Sequence, residues 1–308
     1  MGMIIANALT KRIDRGPWVE VGGGGPPRID IATDPTGVWA PVANPFPSEV
    51  YGIEHANGYW VATGKYNSLA TATDSSGPWT LRTTPFGATT GTWGIGYGNG
   101  YWVATNNAGR IATASGDPTG VWTLNPASFG ALYVLFDVVY ANGIWVTEFA
   151  DYAGGGSHYK IATATDPSGV WTLRYVPITS NLFSLAYGNG YWVAGSTVII
   201  TATDPTSTWT SGSSALGGSS IWSIAYANGI WVAVGDDLKI ATATDPSGAW
   251  TLRYSGSLGY RFYDVAYGNG YWVVVGQGGR RLYATDPTST WTVSSGYGYP
   301  DLFEVKYG

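Results

Sequence analysis

The sequence predicts an all-β fold: a single seven-bladed β-propeller with four antiparallel strands in each blade. Three observations lead to this prediction. A unit of about 42 residues recurs seven times, and each copy divides into short strand-like runs separated by turn residues. The C-terminus then supplies a strand that the N-terminal copy lacks, so that we expect it to complete that blade and close the ring.

The composition agrees with many short strands and excludes several classes of function. Aromatic residues make up 15% of the chain and charged residues only 11%, with 45 Gly. The net charge is −5 and Lys and Arg do not cluster, so no nucleic-acid partner is expected. Cys is absent and His occurs twice, which removes disulfides and thiolate metal sites. No apolar run approaches the roughly 20 residues of a membrane helix, so no membrane insertion is expected.

Each copy carries two Trp residues at fixed places and an Asp five residues before the second Trp. The first Trp of each copy is Trp18, Trp60, Trp102, Trp145, Trp192, Trp231 or Trp272. The second is Trp39, Trp79, Trp122, Trp171, Trp209, Trp250 or Trp291. The Asp residues are Asp34, Asp74, Asp117, Asp166, Asp204, Asp245 and Asp286. A feature that occurs in every copy is expected to serve the architecture.

The copy at 182–211 shows how one blade is read. Residues 183–187 alternate in the period of two that a strand imposes. Asn189-Gly190 then favours a type I′ hairpin turn into a second strand at 191–194. A third strand is expected at 198–203, and the Asp turn leads into a fourth that starts at Trp209. Nothing in the chain reads as a helix.

The repeat sets the blade boundaries within a single domain over residues 1–308. The first copy has three strands but lacks the inner strand and its Asn-Gly turn, which the C-terminal run 302–307 replaces. The blades are expected at 16–43 with 301–308, then at about 48–82, 91–125, 134–175, 181–211, 220–254 and 261–294.

The Asp turn between the third and fourth strands resembles the Asp-box, or BNR repeat, of sialidase-like propellers. The Asp-to-Trp spacing matches in all seven copies, whereas Gly follows the Asp by three residues rather than two, as at Gly169. The carboxylate is expected to accept backbone N–H groups of its own turn, so these seven Asp are interpreted as structural. The whole unit is also similar to repeats found in bacteriophage virion proteins and bacterial surface proteins.

The resemblance raises the question of sialidase activity, which in that family requires an arginine triad, a Tyr-Glu nucleophile pair and an Asp acid. Arg82, Arg174 and Arg253 all follow Trp-Thr-Leu in the repeat and are expected at the outer edges of their blades. We therefore predict no catalytic residues. A glycosidase with two carboxylates remains an alternative that the residues leave open.

Two neighbouring positions of the first strand are expected near the axis of the ring. The earlier position is always aromatic: Tyr51, Trp93, Phe136, Phe183, Trp222, Tyr263 and Phe303. These side chains are expected to pack between blades, and an exposed ring near the axis is the alternative. The next position is small or acidic: Gly52, Gly94, Asp137, Ser184, Ser223, Asp264 and Glu304. We expect these residues to be a solvated channel lining, where a cation or water could also sit.

Variation between the copies is expected to mark the binding surface. The Asn-Gly and Asp turns lie on one uniform face, and the loops that join strands two and three or successive blades lie on a variable face. Their Tyr, Gly, Ser and Asn with occasional Arg are typical of recognition surfaces. The predicted binding residues are Lys65, Tyr66, Asp151, Tyr152, His158, Tyr159, Asp236, Asp237, Tyr260, Arg261, Arg280 and Arg281.

The sequence thus predicts a non-enzymatic structural or binding propeller, most plausibly a phage virion component such as a fibre, tail or head decoration protein. The alternatives are a carbohydrate-binding lectin and, less favoured, a sialidase-like glycoside hydrolase. The expected partners are other virion proteins or a cell-surface glycan, without a cofactor or metal. The N-terminal run Met1 to Leu9 is a poor secretory signal, so we expect a virion or extracellular location reached through lysis.

Overall fold

The computed structural model describes residues 16–87, 90–130, 132–151, 159–256, 258–294 and 300–308. Across these ranges the chain forms 28 strands in seven four-stranded sheets and no helix. Every strand pairing inside a sheet is antiparallel, for example between residues 191–195 and 199–202. The predicted fold class, seven blades of four antiparallel strands in a ring, is confirmed. None of the described residues belongs to a helix that could cross a membrane.

The strands follow the blades in chain order. Blade 1 contains β1 (Trp18–Gly23), β2 (Arg28–Ala32) and β3 (Ala40–Pro41). Blade 2 contains β4 (Val50–Ala56), β5 (Tyr59–Gly64), β6 (Ser68–Ala72) and β7 (Thr80–Arg82). Blade 3 contains β8 (Thr92–Gly98), β9 (Tyr101–Asn106), β10 (Arg110–Ser115) and β11 (Thr123–Ser128). Blade 4 contains β12 (Tyr133–Ala141), β13 (Ile144–Asp151), β14 (Tyr159–Ala164) and β15 (Thr172–Tyr175).

The remaining three blades have the same order from the axis outwards. Blade 5 contains β16 (Ser184–Gly188), β17 (Tyr191–Gly195), β18 (Ile199–Ala202) and β19 (Thr210–Ser211). Blade 6 contains β20 (Ile221–Ala227), β21 (Ile230–Gly235), β22 (Lys239–Ala243) and β23 (Thr251–Tyr254). Blade 7 contains β24 (Phe262–Gly268), β25 (Tyr271–Gly276), β26 (Arg280–Ala284) and β27 (Thr292–Ser294). The last strand of the chain is β28 (Asp301–Tyr307).

The C-terminal strand closes the ring, as predicted. The sheet order of blade 1 is β28-β1-β2-β3, and β28 pairs with β1 in an antiparallel register that places Glu20 opposite Val305. Leu302 and Val305 are buried beside Trp18, in a cluster that also contains Val273 of blade 7. The apolar residues of β28 therefore belong to the contact between the first and last blades, and its backbone removes an open sheet edge.

Asn-Gly turns connect the first and second strands of six blades. Their Asn residues have φ between +46° and +51° and the following Gly residues have φ between +77° and +84°. Positive φ at both central positions is the type I′ geometry, which Asn-Gly adopts with little strain. At Asn57 the side-chain amide donates to the carbonyl of Gly116 in the Asp turn of the next blade, 3.1 Å away. The two kinds of turn therefore lie on the same face of the ring.

The hydrophobic core lies between neighbouring blades. The first Trp of every copy is at most 3% exposed. Each packs against an aromatic residue near the end of the adjacent inner strand, a Tyr in six blades and His55 in blade 2, with ring centroids 4.4 to 5.2 Å apart. Large aromatic side chains bury most area at these contacts, which explains why the repeat retains them.

All seven Asp turns have the geometry expected of a structural carboxylate. In each turn the Asp Oδ1 accepts the N–H of the residue two positions later at 2.8 to 2.9 Å. The indole N–H of the second Trp donates to the carbonyl of the residue after the Asp at 3.0 to 3.4 Å. Each Asp thus orders its own turn, and the Trp anchors that turn to the blade.

Candidate functional site

A closed ring of aromatic side chains surrounds one end of the central channel. It contains one residue from each blade, and neighbouring ring centroids lie 4.5 to 5.9 Å apart. All seven side chains are half-buried and line a channel of about 710 Å³. The members of this aromatic ring are Tyr51, Trp93, Phe136, Phe183, Trp222, Tyr263 and Phe303.

The expectation that these seven residues pack between blades is wrong. The residue before each aromatic takes the place between the blades, as Ile221 and Phe262 do with no exposed surface. The register of most inner strands shifts at this point: Ile221 is opposite Gly235 and Ser223 is opposite Val234, which leaves Trp222 as the extra residue of a β-bulge. A bulge breaks the alternation of a strand, so that two successive side chains turn towards the channel.

Below the aromatic ring, Asp137, Asp264 and Glu304 form the acidic layer of the channel. Asp264 accepts the hydroxyl of Ser223 at 2.6 Å through Oδ1 and the N–H of Val305 at 2.9 Å through Oδ2. Glu304 accepts the N–H of Ile53 at 2.9 Å through Oε2. The carboxylates thus join the inner strands of neighbouring blades and also face the channel, as expected for this position.

The acidic layer is deep enough to oppose ionisation. Removal from bulk water, together with the negative charge of Asp264, raises the pKa of Asp137 to about 7. Burial, with the charges of Asp264 and Asp137, raises the pKa of Glu304 well above its ordinary value. Burial also raises the pKa of Asp264, although its hydrogen bond from Ser223 lowers it in part. Burial and mutual repulsion therefore disfavour the ionised forms of all three carboxyl groups.

The sequence analysis missed two charged residues at the channel: Lys306, which lines it, and Glu148, which is buried behind Asp137. Lys306 Nζ lies 2.7 Å from Glu54 Oε2, which joins blade 1 to blade 2 beneath the acidic layer. Glu148 is fully buried on β13, where its Oε1 accepts the N–H of Asp137 at 3.1 Å. Both positions deviate from the other copies, since the places of Glu148 and Lys306 mostly hold small or β-branched residues. That deviation was the available signal.

Several predicted binding residues lie at the rim of the aromatic ring. Asp236 Oδ1 accepts the indole N–H of Trp222 at 2.8 Å and pairs with Arg261 Nε at 3.0 Å. The Arg261 guanidinium also lies 5.1 Å from the centroid of the Trp222 ring. Lys65 Nζ lies 3.1 Å from Oε2 of Glu49, which also lines the channel at the rim. The rim therefore combines aromatic faces with paired charges.

Four other predicted binding residues lie on the loops around this rim. Tyr66 is 56% exposed, next to Lys65. Arg280 stacks over the exposed Tyr260 at 3.7 Å from the ring centroid. Asp237 accepts the Ser219 hydroxyl and pairs with Lys239, so it closes its own loop without lining the channel.

Arg281 was wrongly assigned to the exposed binding surface. It is 5% exposed, and its guanidinium binds both carboxylate oxygens of Glu20 and one oxygen of Asp30. It therefore joins blade 7 to blade 1 inside the protein. Along β26 successive side chains point to opposite sides, so Arg280 reaches the surface while Arg281 does not.

The remaining predicted binding residues belong to the loop of blade 4. Asp151 and Tyr159 end and begin strands β13 and β14, and their side chains lie outside the described part of the chain. Tyr152 and His158 lie outside the described residues altogether. The three arginines considered for sialidase activity, Arg82, Arg174 and Arg253, donate from Nε to a Thr hydroxyl of the adjacent strand at 2.8 Å. They lie on outermost strands, as expected.

Within the described residues, no three acidic or imidazole side chains are grouped so that they could hold one metal ion. The acidic residues come from different blades and surround the channel. Their side chains therefore surround a cavity large enough for a small molecule and do not converge on the position of a single ion.

Comparisons with known proteins support the fold. No family model matches the chain, and no curated protein matches it. Solved structures do: YCF48 bound to D1 peptide has a TM-score of 0.63 at 13% identity, over 82% of this chain and 83% of that one. YCF48 from Cyanidioschyzon merolae has a TM-score of 0.63 at 12% identity, over 84% and 90%. The computationally designed Ika8 protein has a TM-score of 0.65 at 12% identity, over 92% of this chain and 85% of that one.

The chain is a seven-bladed β-propeller. At these identities the similarity shows the fold alone, because one propeller architecture serves many unrelated activities. A function has to be argued from the channel and its rim.

Proposed function

We propose that this chain is a non-enzymatic recognition module of a virion, a fibre, tail or head decoration component, which binds its partner at the channel mouth on the variable face. The observation that carries the proposal is the closed ring of seven half-buried aromatic side chains at that mouth. Half-buried aromatic surface beside ordered charges is typical of binding sites in proteins.

The arrangement of the rim supports recognition rather than mere packing. Trp222 is held by Asp236, and Arg261 is held by Asp236 and lies over the Trp222 ring, so both side chains are ordered before a partner arrives. Preorganised side chains lose less conformational entropy on binding. The rim also belongs to the loops that differ between copies, where a partner-specific surface is expected.

The virion role is supported by the similarity of the repeat to repeats of bacteriophage virion proteins. Mass spectrometry of purified particles tests this directly in a phage that encodes the gene: we expect peptides of this chain in the particle. Genes for capsid or tail parts are expected beside it. A gene within a metabolic operon, or particles without the chain, would contradict the virion assignment.

The binding role is tested separately by competition. Excess purified chain should compete with virions in adsorption or assembly, and the Trp222→Ala variant should compete about tenfold less well, since truncation of a central aromatic residue usually removes more than 1 kcal/mol of binding energy. A second tryptophan such as Trp250 cannot serve as the control, because it anchors an Asp turn and its replacement would disturb the fold. Val170→Ala is suitable, since Val170 is 84% exposed in an Asp turn on the uniform face, away from the channel mouth. Equal competition by both variants would contradict a site at the ring.

A lectin is the second candidate, because aromatic faces that line a cavity can stack on the apolar faces of sugar rings. A glycan array distinguishes it from the first proposal. Binding to a defined glycan that is lost in Trp222→Ala would make the partner a carbohydrate, whereas no binding across a wide panel would contradict this candidate and leave a protein partner.

A further inference from the structure

We propose that the channel binds a primary ammonium group on an unbranched alkyl stem, with the aromatic ring around the stem and the acidic layer around the ammonium. The shared chemistry is that of a free alkylamine or of a lysine side chain on a partner. The inference rests on the proposed function, because it names the ligand class of the same channel mouth.

The order of chemical groups along the channel matches such a ligand. The aromatic ring lies at the start of the inner strands and the acidic layer one residue further in, so a ligand from the variable face passes aromatic carbon before it reaches a carboxylate. The negative faces of the rings attract cations within about 6 Å. Arg261 lies 5.1 Å from the Trp222 centroid, so the ring has a cation on its rim in this structure.

The acidic layer offers hydrogen-bond acceptors, and Lys306 Nζ, the nearest ammonium donor among the described residues that line the channel, is already bound by Glu54. Glu304 lines the channel and uses Oε2 for the Ile53 N–H, so that Oε1 can accept another donor. Asp137 is exposed to the channel. An alkylammonium group has three N–H donors and no acceptor, whereas a sugar hydroxyl both donates and accepts. A tetraalkylammonium group has no N–H donor. The carboxylates would therefore contribute less binding free energy to it than to a primary ammonium group.

The charges around the acidic layer are unbalanced. Lys306 is the cation nearest this layer among the described residues that line the channel, and Glu54 already binds it. Behind Asp137, the buried Glu148 has one oxygen, Oε2, without a hydrogen-bond partner among the described residues. A buried carboxylate of this kind is costly unless it is protonated or compensated by a positive charge. A ligand ammonium beside Asp137 would supply that compensation.

The proposal predicts that affinity rises with pH. The groups that face Asp137 are Glu148 from β13, Asp264 from β24, and Glu304 and Lys306 from β28, with Glu54 of β4 beside Lys306. Burial and Asp264 hold the pKa of Asp137 at about 7, so this carboxyl is mostly neutral at pH 5 and mostly ionised at pH 8. An alkylammonium group stays charged throughout, and we expect about tenfold tighter binding at pH 8.

The test is calorimetric titration of the full chain with hexylammonium chloride at pH 8, with hexan-1-ol as the neutral probe of similar length. We expect a Kd of about 0.1–1 mM for hexylammonium, in line with a ligand of this size, and no measurable binding of hexan-1-ol. Tetramethylammonium chloride is expected to bind at least about tenfold more weakly, because charge-assisted N–H hydrogen bonds are lost.

Two variants remove the proposed acceptors and one serves as a matched control. Asp137→Asn and Glu304→Gln should each weaken hexylammonium binding about tenfold, because a charged acceptor is replaced by a neutral one. Asp74→Asn removes the same charge from an exposed Asp turn on the opposite face, and its affinity should equal that of the parent chain. A cooperative unfolding transition in each variant establishes that it is folded.

Three results would overturn the inference: no heat with hexylammonium, equal binding of hexan-1-ol, or parent-like affinity in both acidic-layer variants. A peptide with one central lysine identifies the source: tighter binding than hexylammonium assigns the site to a partner's lysine, and weaker binding assigns it to a free amine. The virion and competition experiments do not use an amine. If those experiments succeed and the titration fails, only the proposed alkylammonium ligand is contradicted, and the proposed function is not.

Discussion

At the scale of single residues, the same side-chain type has opposite roles in this propeller because its surroundings differ. Asp74 lies exposed in a turn, and hydrogen bonds from the backbone N–H and the hydroxyl of Ser76 lower the pKa of its carboxyl. Asp137 faces the channel inside the ring of blades, where removal from bulk water and a neighbouring carboxylate raise its pKa to about 7. The first carboxylate is stabilised by folding as an anion, and the second is not.

The Asp137→Asn substitution is expected to change the free energy of unfolding more favourably at pH 8 than at pH 5, relative to the parent chain. The folded-state pKa of Asp137 lies above the unfolded value of about 3.9, so stability from this group is present below pH 4 and is lost as pH rises towards 7. Asn cannot ionise and escapes this loss. The difference should be about 1 kcal/mol in the free energy of unfolding, after allowance for screening by solvent in the channel. Urea unfolding of both chains at the two pH values measures it.

Asp74→Asn is the matched control for this pH dependence. Its lowered pKa gives stability that is present above the unfolded value and lost only in acid, so the variant should be destabilised equally at pH 5 and pH 8. If Asp137→Asn also changes stability equally at the two pH values, the carboxyl is not held neutral in the channel.

At the scale of strands, the joint between the last and first blades contains a buried charge cluster in addition to apolar contacts. Arg281 on β26 binds Glu20 on β1 and Asp30 on β2, and none of the three is more than 5% exposed. These buried groups depend on one another, because Glu20 without Arg281 would be a buried uncompensated charge, and Asp30 also binds Arg28. This cluster therefore adds ion pairs to the apolar contacts that hold the last blade against the first.

Arg281→Met is expected to destabilise the protein by about 3–5 kcal/mol, because it leaves Glu20 buried without its cation, while Asp30 keeps Arg28. Arg280→Met is the matched control on the same strand. Arg280 is only half-buried, bonds the Gln277 carbonyl and stacks on the exposed Tyr260, so its replacement should cost less than about 1 kcal/mol. Urea unfolding at pH 7 compares them, and equal losses would show that the cluster does not stabilise the joint.

At the scale of the whole molecule, stability is expected to depend on the closed circle of blades rather than on a particular order along the chain. Every blade contacts a neighbour on both sides, and the N–H of Gly308 donates to the carbonyl of Pro17 at 3.2 Å. The two ends of the described chain are therefore adjacent. Removing β28 would expose the edge of β1 together with the apolar residues that Leu302 and Val305 cover.

Deletion of residues 301–308 should yield soluble aggregates or no folded protein, whereas a circular permutant should fold. The permutant joins Gly308 to Gly16 and opens the chain between Gly217 and Gly218, two exposed residues in a link between blades. The control is the linear chain 16–308. Size-exclusion chromatography and thermal unfolding should give the same behaviour for the control and the permutant. A deleted chain that elutes and melts like the control would show that closure is not required.

The fold was accessible from the sequence because its signals are local and repeated seven times. The Asn-Gly dipeptides determine the turns through their positive φ, the Asp-to-Trp spacing determines the outer turns, and the missing inner strand of blade 1 identifies the C-terminal run as its substitute. The first two signals concern residues only a few positions apart, and repetition separates them from chance, whereas the third follows from comparing the first copy with the others.

The candidate site was only partly accessible, because it depends on what neighbouring blades bring together. The large area that aromatic side chains bury led to the prediction of Trp222 between the blades, but a β-bulge turns it towards the axis, and a bulge has no reliable sequence pattern. Arg281 was predicted at the surface beside Arg280, whereas it binds Glu20, which is distant in the sequence and lies in another blade. The sequence alone determined the ring, its closure and its two faces. Only the tertiary structure decided which side chains meet in the channel, since burial and charge there come from several blades at once.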